Sequence, residues 1–408
     1  MAKTFKPIPH EVNIIARALD EISEKYEENN KIIFRNESDR AKQHFASINR
    51  QLKGWSKSKQ CMAPGCIKRS IKRSHTIPKG MSLRTIGENG HVLIPSFDNK
   101  HGKVVVEKTG LSDATTFPGF CSEHELLFEE FENSGRLVSE PDIYLQAYRA
   151  ACRESFRTKY LIEQHDWTMS NYINSRDEGL TRLIQERAQS LGYPKQVNIQ
   201  SFKIDCDQLV EGANERIAPV RRLFKHLDER ILPALECAVF HRDESDIAVT
   251  ATSIDLEIPV ALTGSAPFFV RDKSNDAEVV LIMNVIPQIG STLIIMAVHA
   301  SEADMLEAYK ERWMTHALTM LSMIESWMIN GTDQWCIRPS VWNRLPTDRT
   351  ENILTALTEC NKNIGDECEI SVFDGLRSSI IDLSNTANAN NLTSEYIRFI
   401  KAEKKKMS

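Results

Sequence analysis

The run Val279-Val280-Leu281-Ile282-Met283-Asn284-Val285-Ile286 is followed by Pro287-Gln288-Ile289-Gly290-Ser291 and then by Thr292-Leu293-Ile294-Ile295-Met296-Ala297-Val298. Each apolar run is far shorter than the roughly 20 residues that cross a bilayer. Two such runs on either side of a Pro/Gly break predict a hairpin in a β-rich core. Upstream, Ile247–Leu262 alternates apolar and polar residues (Val249, Ala251, Ile254, Leu256, Ile258), which extends the β texture. Downstream, helices are expected from Ser301 to about Ile329, opened by the capping-box-like Ser301-Glu302-Ala303-Asp304, and again at Thr347–Asn361. Residues 231–408 are thus expected to form an α/β domain, a mixed sheet with flanking helices. Such a domain suits a sensor, or a surface for a partner protein or a second copy of the chain. Its most unusual string, Asp333-Gln334-Trp335-Cys336-Ile337-Arg338-Pro339-Ser340-Val341-Trp342, lines a pocket or forms an aromatic packing corner. The basic Lys401–Lys406 tail reads as a frayed helix end.

Moving towards the N-terminus, residues 141–230 are rich in helix formers. Asp142 to about Leu191 holds a single glycine, Gly179, and predicts one or two long helices; another follows at about Asp207–Leu227. Residues 1–55 form a helical N-terminal segment, with an amphipathic helix at His10–Tyr26 and a second helix at roughly Ser38–Leu52. Between these lies a glycine-rich stretch, residues 56–140, with strands expected at Val92–Ile94 and Lys103–Glu107. The composition, 41% hydrophobic and 26% charged over 408 residues, is that of a soluble folded chain and excludes wholesale disorder. With no membrane span and no apolar leader after Met1, the expected compartment is the cytoplasm. Nine cysteines, an odd number, argue against a disulfide framework. Charge is unevenly spread: Ala41–Gly87 contains eleven Lys/Arg and no Asp or Glu in a chain of net charge −5. That asymmetry is the footprint of a phosphate-binding surface.

Chemistry concentrates in Cys61-Met62-Ala63-Pro64-Gly65-Cys66, Ser74-His75-Thr76-Ile77-Pro78-Lys79 and Phe120-Cys121-Ser122-Glu123-His124-Glu125. Two cysteines in a tight Pro-Gly turn, plus a Cys/His pair opening a helix, supply four ligands of the kind tetrahedral zinc prefers. The expected structural Zn²⁺ site is therefore Cys61, Cys66, Cys121 and His124. A metal closing that loop would stabilise a region with few large apolar residues. Lys68, Arg69, Lys72, Arg73, Lys79 and Arg84 surround the site, where cations can hold a nucleic-acid backbone without reading bases.

This order, a Cys pair, then Ser-His-Thr-Ile-Pro-Lys, then a Phe-Cys-x2-His pair at a helix start, resembles the zinc-containing HNH endonucleases of treble-clef, ββα-metal type. The resemblance covers Cys61 to Glu132, under a fifth of the chain. It implies that His75 is the general base activating water against the scissile phosphate. It also implies a divalent Mg²⁺ or Mn²⁺ held by an acidic residue before the base and an asparagine after the last zinc ligand. Ser74 occupies the first of those positions and Glu125 the second. Serine is a poor ligand for Mg²⁺, so the one remaining carboxylate has moved from strand to helix, with Glu129 one turn further along as a second candidate. His75 also competes as a fifth ligand for four zinc positions; the paired layout leaves it free. His91 lies on the intervening hairpin, either facing a phosphate or simply ending a strand.

The fold class expected is α+β: a helical N-terminus, a treble-clef zinc/HNH-like module, long connecting helices and the C-terminal sheet domain. The expected function is a metal-dependent HNH-like endonuclease acting on nucleic acid, with DNA favoured by the resemblance. By analogy only, a nuclease head on such a chain resembles the effectors of anti-phage defence, with the second domain expected to detect the trigger. The alternative is a catalytically inactive, zinc-dependent nucleic-acid-binding adaptor.

Overall fold

A computed structural model describes residues 10–26, 54–55, 57–98, 101–137, 139–195, 199, 207–241, 245–272, 275–357, 363–387 and 393–407. The helix expected at Ser38–Leu52 lies outside the described residues. The chain divides into two compact units, residues 1–54 with 160–221, and residues 55–159 with 222–408.

In the smaller unit, α1 (His10–Tyr26) buries Ile14 and Ala18 in a cluster with Ala188 and Tyr193. Glu21 is ion-paired there with Arg187. The larger unit holds all nine strands of the described residues. β1 (Ser74–His75) pairs with β4 (Thr116–Phe117), and between them run β2 (His91–Asp98) and β3 (Lys103–Gly110). After β4 come the short helices α2 (Ser122–Glu125) and α3 (Glu129–Ser134), then α4 (Glu140–Ser190), one continuous helix of 51 residues. α4 belongs to the larger unit as far as Lys159, and α5 (Asp207–His226) re-enters that unit at Arg222. No helix among the described residues is long and apolar enough to cross a membrane.

The seven-stranded sheet adds β5 (Ile247–Ile254), β6 (Val260–Asp272), β7 (Asn275–Gln288), β8 (Ser291–His299) and β9 (Trp335–Ile337), in the order β3-β2-β9-β6-β7-β8-β5. The expected hairpin is β7–β8, closed by Ile289 and Gly290 with Gly290 at φ +76°. Its apolar runs are continuous because both faces are covered. Val279, Leu281, Met283 and Val285 face one core with the helices that follow β8, while Val280, Ile282 and Ile286 face α4 through Ala147, Ala150 and Ala151.

Several expectations are corrected. Every pairing in the sheet is antiparallel, so it is not mixed. Neighbouring strands run antiparallel even though the connections from β5 to β6 and from β8 to β9 pass over other strands, the second inserting β9 between β2 and β6. The alternation through Ile247–Leu262 is two strands, β5 and β6. The Thr292 hydroxyl ties the corner between them, donating to the Leu256 carbonyl at 2.7 Å and accepting from the Ile258 amide at 2.9 Å. The helices expected from Ser301 to about Ile329 include α6 (Ala303–Met314) and α7 (Ala317–Ser326). His316 makes the break between them by turning extended and capping α7, its Nδ1 accepting from the Leu318 amide at 3.1 Å. Ser301 does not cap α6; its hydroxyl accepts from Arg230 at 2.7 Å. The helix expected from Thr347 is α8 (Thr347–Ala356).

After α9 (Asp374–Ala387), the basic tail is no frayed end: α10 (Ser394–Lys405) is docked by Lys406, which donates to Ser322 at 2.9 Å and to Glu403 at 2.7 Å. The Trp335 string is a packing corner. Trp335 is buried with its Nε1 donating to the Met328 carbonyl at 2.8 Å, and its ring lies 6.0 Å from that of Trp342. The cysteine-bearing segment and the C-terminal sheet, expected as separate domains, share one sheet through β2 and β9.

Candidate functional site

Pro64 and Gly65 turn the chain sharply between Cys61 and Cys66, with Gly65 at φ +66°, a conformation that favours glycine. The Cys66 amide donates to the Ala63 carbonyl at 3.1 Å and the Cys61 amide to Lys68 at 2.9 Å, which closes the loop. The Met62 amide then bonds the Gly119 carbonyl at 2.9 Å, pinning this loop against the segment entering α2. Cys121 sits extended at the N-cap of α2 and His124 lies within its first turn. His124 Nδ1 is 3.4 Å from Cys61 Sγ and 3.3 Å from Cys121 Sγ. The ligand atoms of Cys61, Cys66, Cys121 and His124 all lie within 4.8 Å of one another.

Two bond lengths near 2.1 and 2.3 Å at a tetrahedral angle separate ligand atoms by about 3.5 Å, so this Cys3His group has the donor set and size for a four-coordinate metal. The Cys121 amide points at Cys61 Sγ from 3.3 Å. Burial pushes the Cys61 thiol up to about 11. Burial also opposes ionisation of Cys121, but hydrogen bonds from the backbone and side chain of His124 prevail and bring it down to about 7. The structure thus unites all four residues that the sequence nominated, and His75 is not among them.

His75 faces a different set of groups. Its strand β1 pairs Ser74 with Phe117 and His75 with Thr116. His75 Nδ1 donates to the Ala114 carbonyl at 3.0 Å, so Nε2 carries the lone pair. Thr115, next to that carbonyl, holds the left-handed φ of +57°, a strained backbone of the sort found at functional sites. Burial lowers the His75 pKa to about 4, helped by the positive charge of Arg149 and opposed by Glu132.

Arg149, from α4, is buried to 1% exposure; it donates to Glu132 at 2.7 Å and to Glu125 at 3.5 Å, and its guanidinium lies 4.3 Å from the Phe128 ring centre. Burial raises the Glu125 pKa against Arg149 and the Ser74 hydroxyl. Ser74 Oγ itself accepts from the Phe120 amide at 3.0 Å. The Mg²⁺ or Mn²⁺ implied by the resemblance fits this centre poorly: its only carboxylate at the carried-over positions, Glu125, is ion-paired to an arginine, and the other position is a serine. Glu129 is exposed, and Glu132 is the acid that joins Glu125 around Arg149. Sequence reasoning missed Arg149 and Glu132. Glu132 lies seven residues after Glu125, but the 3₁₀ turn Leu126–Phe128 separates α2 from α3, so no single helix face marked the pair.

The six basic residues are placed unequally. Lys68, Arg69, Lys72, Arg73 and Arg84 are exposed and Lys79 is half-buried. Lys68 is ion-paired to Glu123 and Arg73 to Asp113 at 2.7 Å. Arg69 donates to the Ser58 carbonyl at 2.6 Å and Lys79 to Ser112 at 2.8 Å. His91 donates from Nδ1 to the Asn89 carbonyl at 2.7 Å. In comparisons with protein-family models, curated proteins and solved structures, nothing matches this chain.

Proposed function

We propose that Cys61–Glu132 is a zinc-bound, HNH-like nuclease module in which His75 is the general base for hydrolysis of a nucleic-acid phosphodiester, DNA in preference to RNA. The observation that carries this reading is the His75 Nδ1 bond to the Ala114 carbonyl, which fixes the tautomer and leaves Nε2 as the proton acceptor. In the reaction a water proton moves to Nε2, the water oxygen bonds to phosphorus, the bond from phosphorus to one ester oxygen breaks, and the leaving oxygen takes a proton from solvent to become the alcohol. The Cys3His group supports the reading as a scaffold: a zinc held by these four ligands would have no open position and would supply structure, not chemistry. The β1–β4 pair followed by α2 has the strand, strand, helix order that the resemblance implies. Exposed Lys72, Arg69 and Arg84 would grip the backbone.

The test is cleavage of plasmid DNA by wild type and His75→Ala, with zinc measured in both. Cleavage by wild type alone, at equal zinc content, supports the reading. No cleavage by either protein, with DNA retained at low salt, favours a zinc-dependent nucleic-acid-binding adaptor. That second reading has its own support in the ion pair that engages Glu125.

A further inference from the structure

Arg149 is a buried cation that the hydrolytic reading leaves unused. Its helix is anchored on both sides of it. One turn before, Gln146 Nε2 donates to the Thr76 carbonyl at 3.1 Å and to Asn284 Oδ1 at 3.0 Å. One turn after, Arg153 bonds Asp333 at 3.3 Å and pairs with Glu154. The Phe128 ring covers the guanidinium, and the two carboxylates that converge on it come from α2 and α3. Arg149 cannot easily swing away, because its helix backbone is held at both ends and its side chain is enclosed. A divalent ion between Glu125 and Glu132 would meet a fixed like charge at close range in a poorly hydrated site.

We propose that Arg149 stands where the divalent ion would, so that Glu125 and Glu132 hold a guanidinium beside His75 and the centre excludes Mg²⁺ and Mn²⁺. What this cation serves rests on the nuclease reading above; that it excludes a divalent ion does not. On that reading hydrolysis proceeds without added Mg²⁺ or Mn²⁺. Arg149 is then a positioning residue: it offsets one of the two carboxylate charges that would otherwise repel the phosphate, and its charge adds to the burial that keeps the His75 imidazole uncharged.

The experiment is Mn²⁺ binding to the zinc-loaded full chain, read by the paramagnetic resonance signal of free Mn²⁺, for wild type, Glu125→Gln and Arg149→Met. The expected result is that wild type and Glu125→Gln bind Mn²⁺ equally poorly, while Arg149→Met gains a site at least about tenfold tighter because a like charge has gone. A wild-type site for one Mn²⁺ that Glu125→Gln abolishes overturns the assignment. A folded, zinc-replete Arg149→Met that binds Mn²⁺ no better than wild type also overturns it. Should Arg149→Met fail to fold, the comparison of wild type with Glu125→Gln decides alone. Plasmid cleavage measured alongside separates the two readings. Absence of cleavage defeats the nuclease reading while poor Mn²⁺ binding still upholds the arginine, and cleavage that requires Mn²⁺ defeats the arginine assignment while upholding the nuclease.

Discussion

Leu93 on β2 lies opposite Ile337 on β9, and this pairing makes the hairpin of the cysteine-bearing segment part of the sheet built by the C-terminal half. The apolar cluster under it, with Ile77, Leu83, Ile86, Val92, Ala114, Ala261 and Cys336, draws on both regions. Gln334 reinforces the junction by donating to the Thr76 hydroxyl at 3.1 Å. The strand that carries His75 is thereby backed by residues more than 250 positions away. A fragment of residues 57–137 loses the part of that cluster supplied by the C-terminal half and is expected not to fold, even with zinc. An amide-correlation NMR spectrum of the zinc-saturated fragment checks this: a well-dispersed spectrum would contradict it.

The Cys3His group makes a firmer demand on the full chain. Structural zinc sites contribute on the order of 10 kcal/mol in small zinc-dependent peptides, comparable with the whole stability of a typical domain. Cys121→Ser removes a thiolate ligand at the N-cap position of α2, whose Sγ lies 3.3 Å from His124 Nδ1, so it should bind no zinc where wild type binds one ion per chain. Local unfolding should follow, visible as new tryptic cleavage within residues 57–137 and little change in the C-terminal half. Equal zinc content in Cys121→Ser and wild type would count against the site.

Exposed cations that already hold a carboxylate should matter less to nucleic acid than free ones. Lys68 is paired with Glu123 and Arg73 with Asp113, whereas Lys72 and Arg84 are exposed with no carboxylate partner among the described residues. Lys72→Ala and Arg84→Ala should each flatten the dependence of log affinity on log salt by about 0.9 for duplex DNA, the release expected for one phosphate contact. Lys68→Ala and Arg73→Ala should each change it by clearly less, because breaking the ion pair offsets part of the gain. Fluorescence anisotropy across a salt series measures all four slopes.

Two histidines give the fold a predictable response to acid. Burial, with Arg149 as the nearby charge, lowers the His75 pKa to about 4, and burial with Arg230 and His299 lowers that of His226 to about 4. Unfolded, both take up protons near 6.5. The unfolded state therefore binds more protons between those values, and stability rises with pH through that window. The contribution is intact above about pH 6.5 and is lost as pH falls toward about 4. Tm measured across that range should fall less steeply for His75→Gln/His226→Gln than for wild type. The raised Glu125 and Glu302 act in the opposite sense, and because Glu302 lies 3.6 Å from His226, the single variant His75→Gln gives the histidine contribution free of that contact. If cleavage is observed, its acid limb should lie near pH 4, well below that of a solvent-exposed imidazole.

Much of this architecture was legible because it rests on local pattern. The β7–β8 hairpin is marked by two apolar runs and a Gly290 turn, and the metal ligands by two close pairs whose spacing only a knuckle and a helix start can use. What escaped depends on distant or side-chain-specific contacts. β9 is three residues long, too short to show a period, yet it bridges β2 and β6. The break before α7 has neither glycine nor proline and is set by the His316 ring. Arg149 is one of many polar residues along a 51-residue helix, and nothing in its neighbours says which face meets Glu125 and Glu132. Lys68 and Arg73 looked like free cations because Glu123 and Asp113 lie about 40 to 55 positions further on, beyond the reach of any local spacing rule.

Long-range pairing also holds the buried charges of the C-terminal half. Arg377 is fully buried between Glu325 and Glu403, and Glu325 is fully buried as well. Glu325 Oε1 also accepts from the amides of Val372 at 2.7 Å and Phe373 at 3.2 Å, so this carboxylate fixes the entry to α9 as well as the arginine within it. Burial raises the Glu325 pKa, while Arg377 and those amides hold it down. Removing the cation alone leaves Glu325 buried without its ion pair and Glu403 with only Lys406, and breaking a buried pair in this way costs about 3–5 kcal/mol. Arg377→Met is therefore expected to lower Tm sharply. Arg377→Met/Glu325→Gln/Glu403→Gln should recover much of the loss, because neutral amides tolerate burial far better than unpaired carboxylates. The side-chain carbonyl that Glu325→Gln retains can still accept from the two backbone amides. Chemical denaturation of the three proteins measures both steps. A triple variant no more stable than Arg377→Met would mean that the network acts by shape, through contacts only the guanidinium can fill, and not by charge balance.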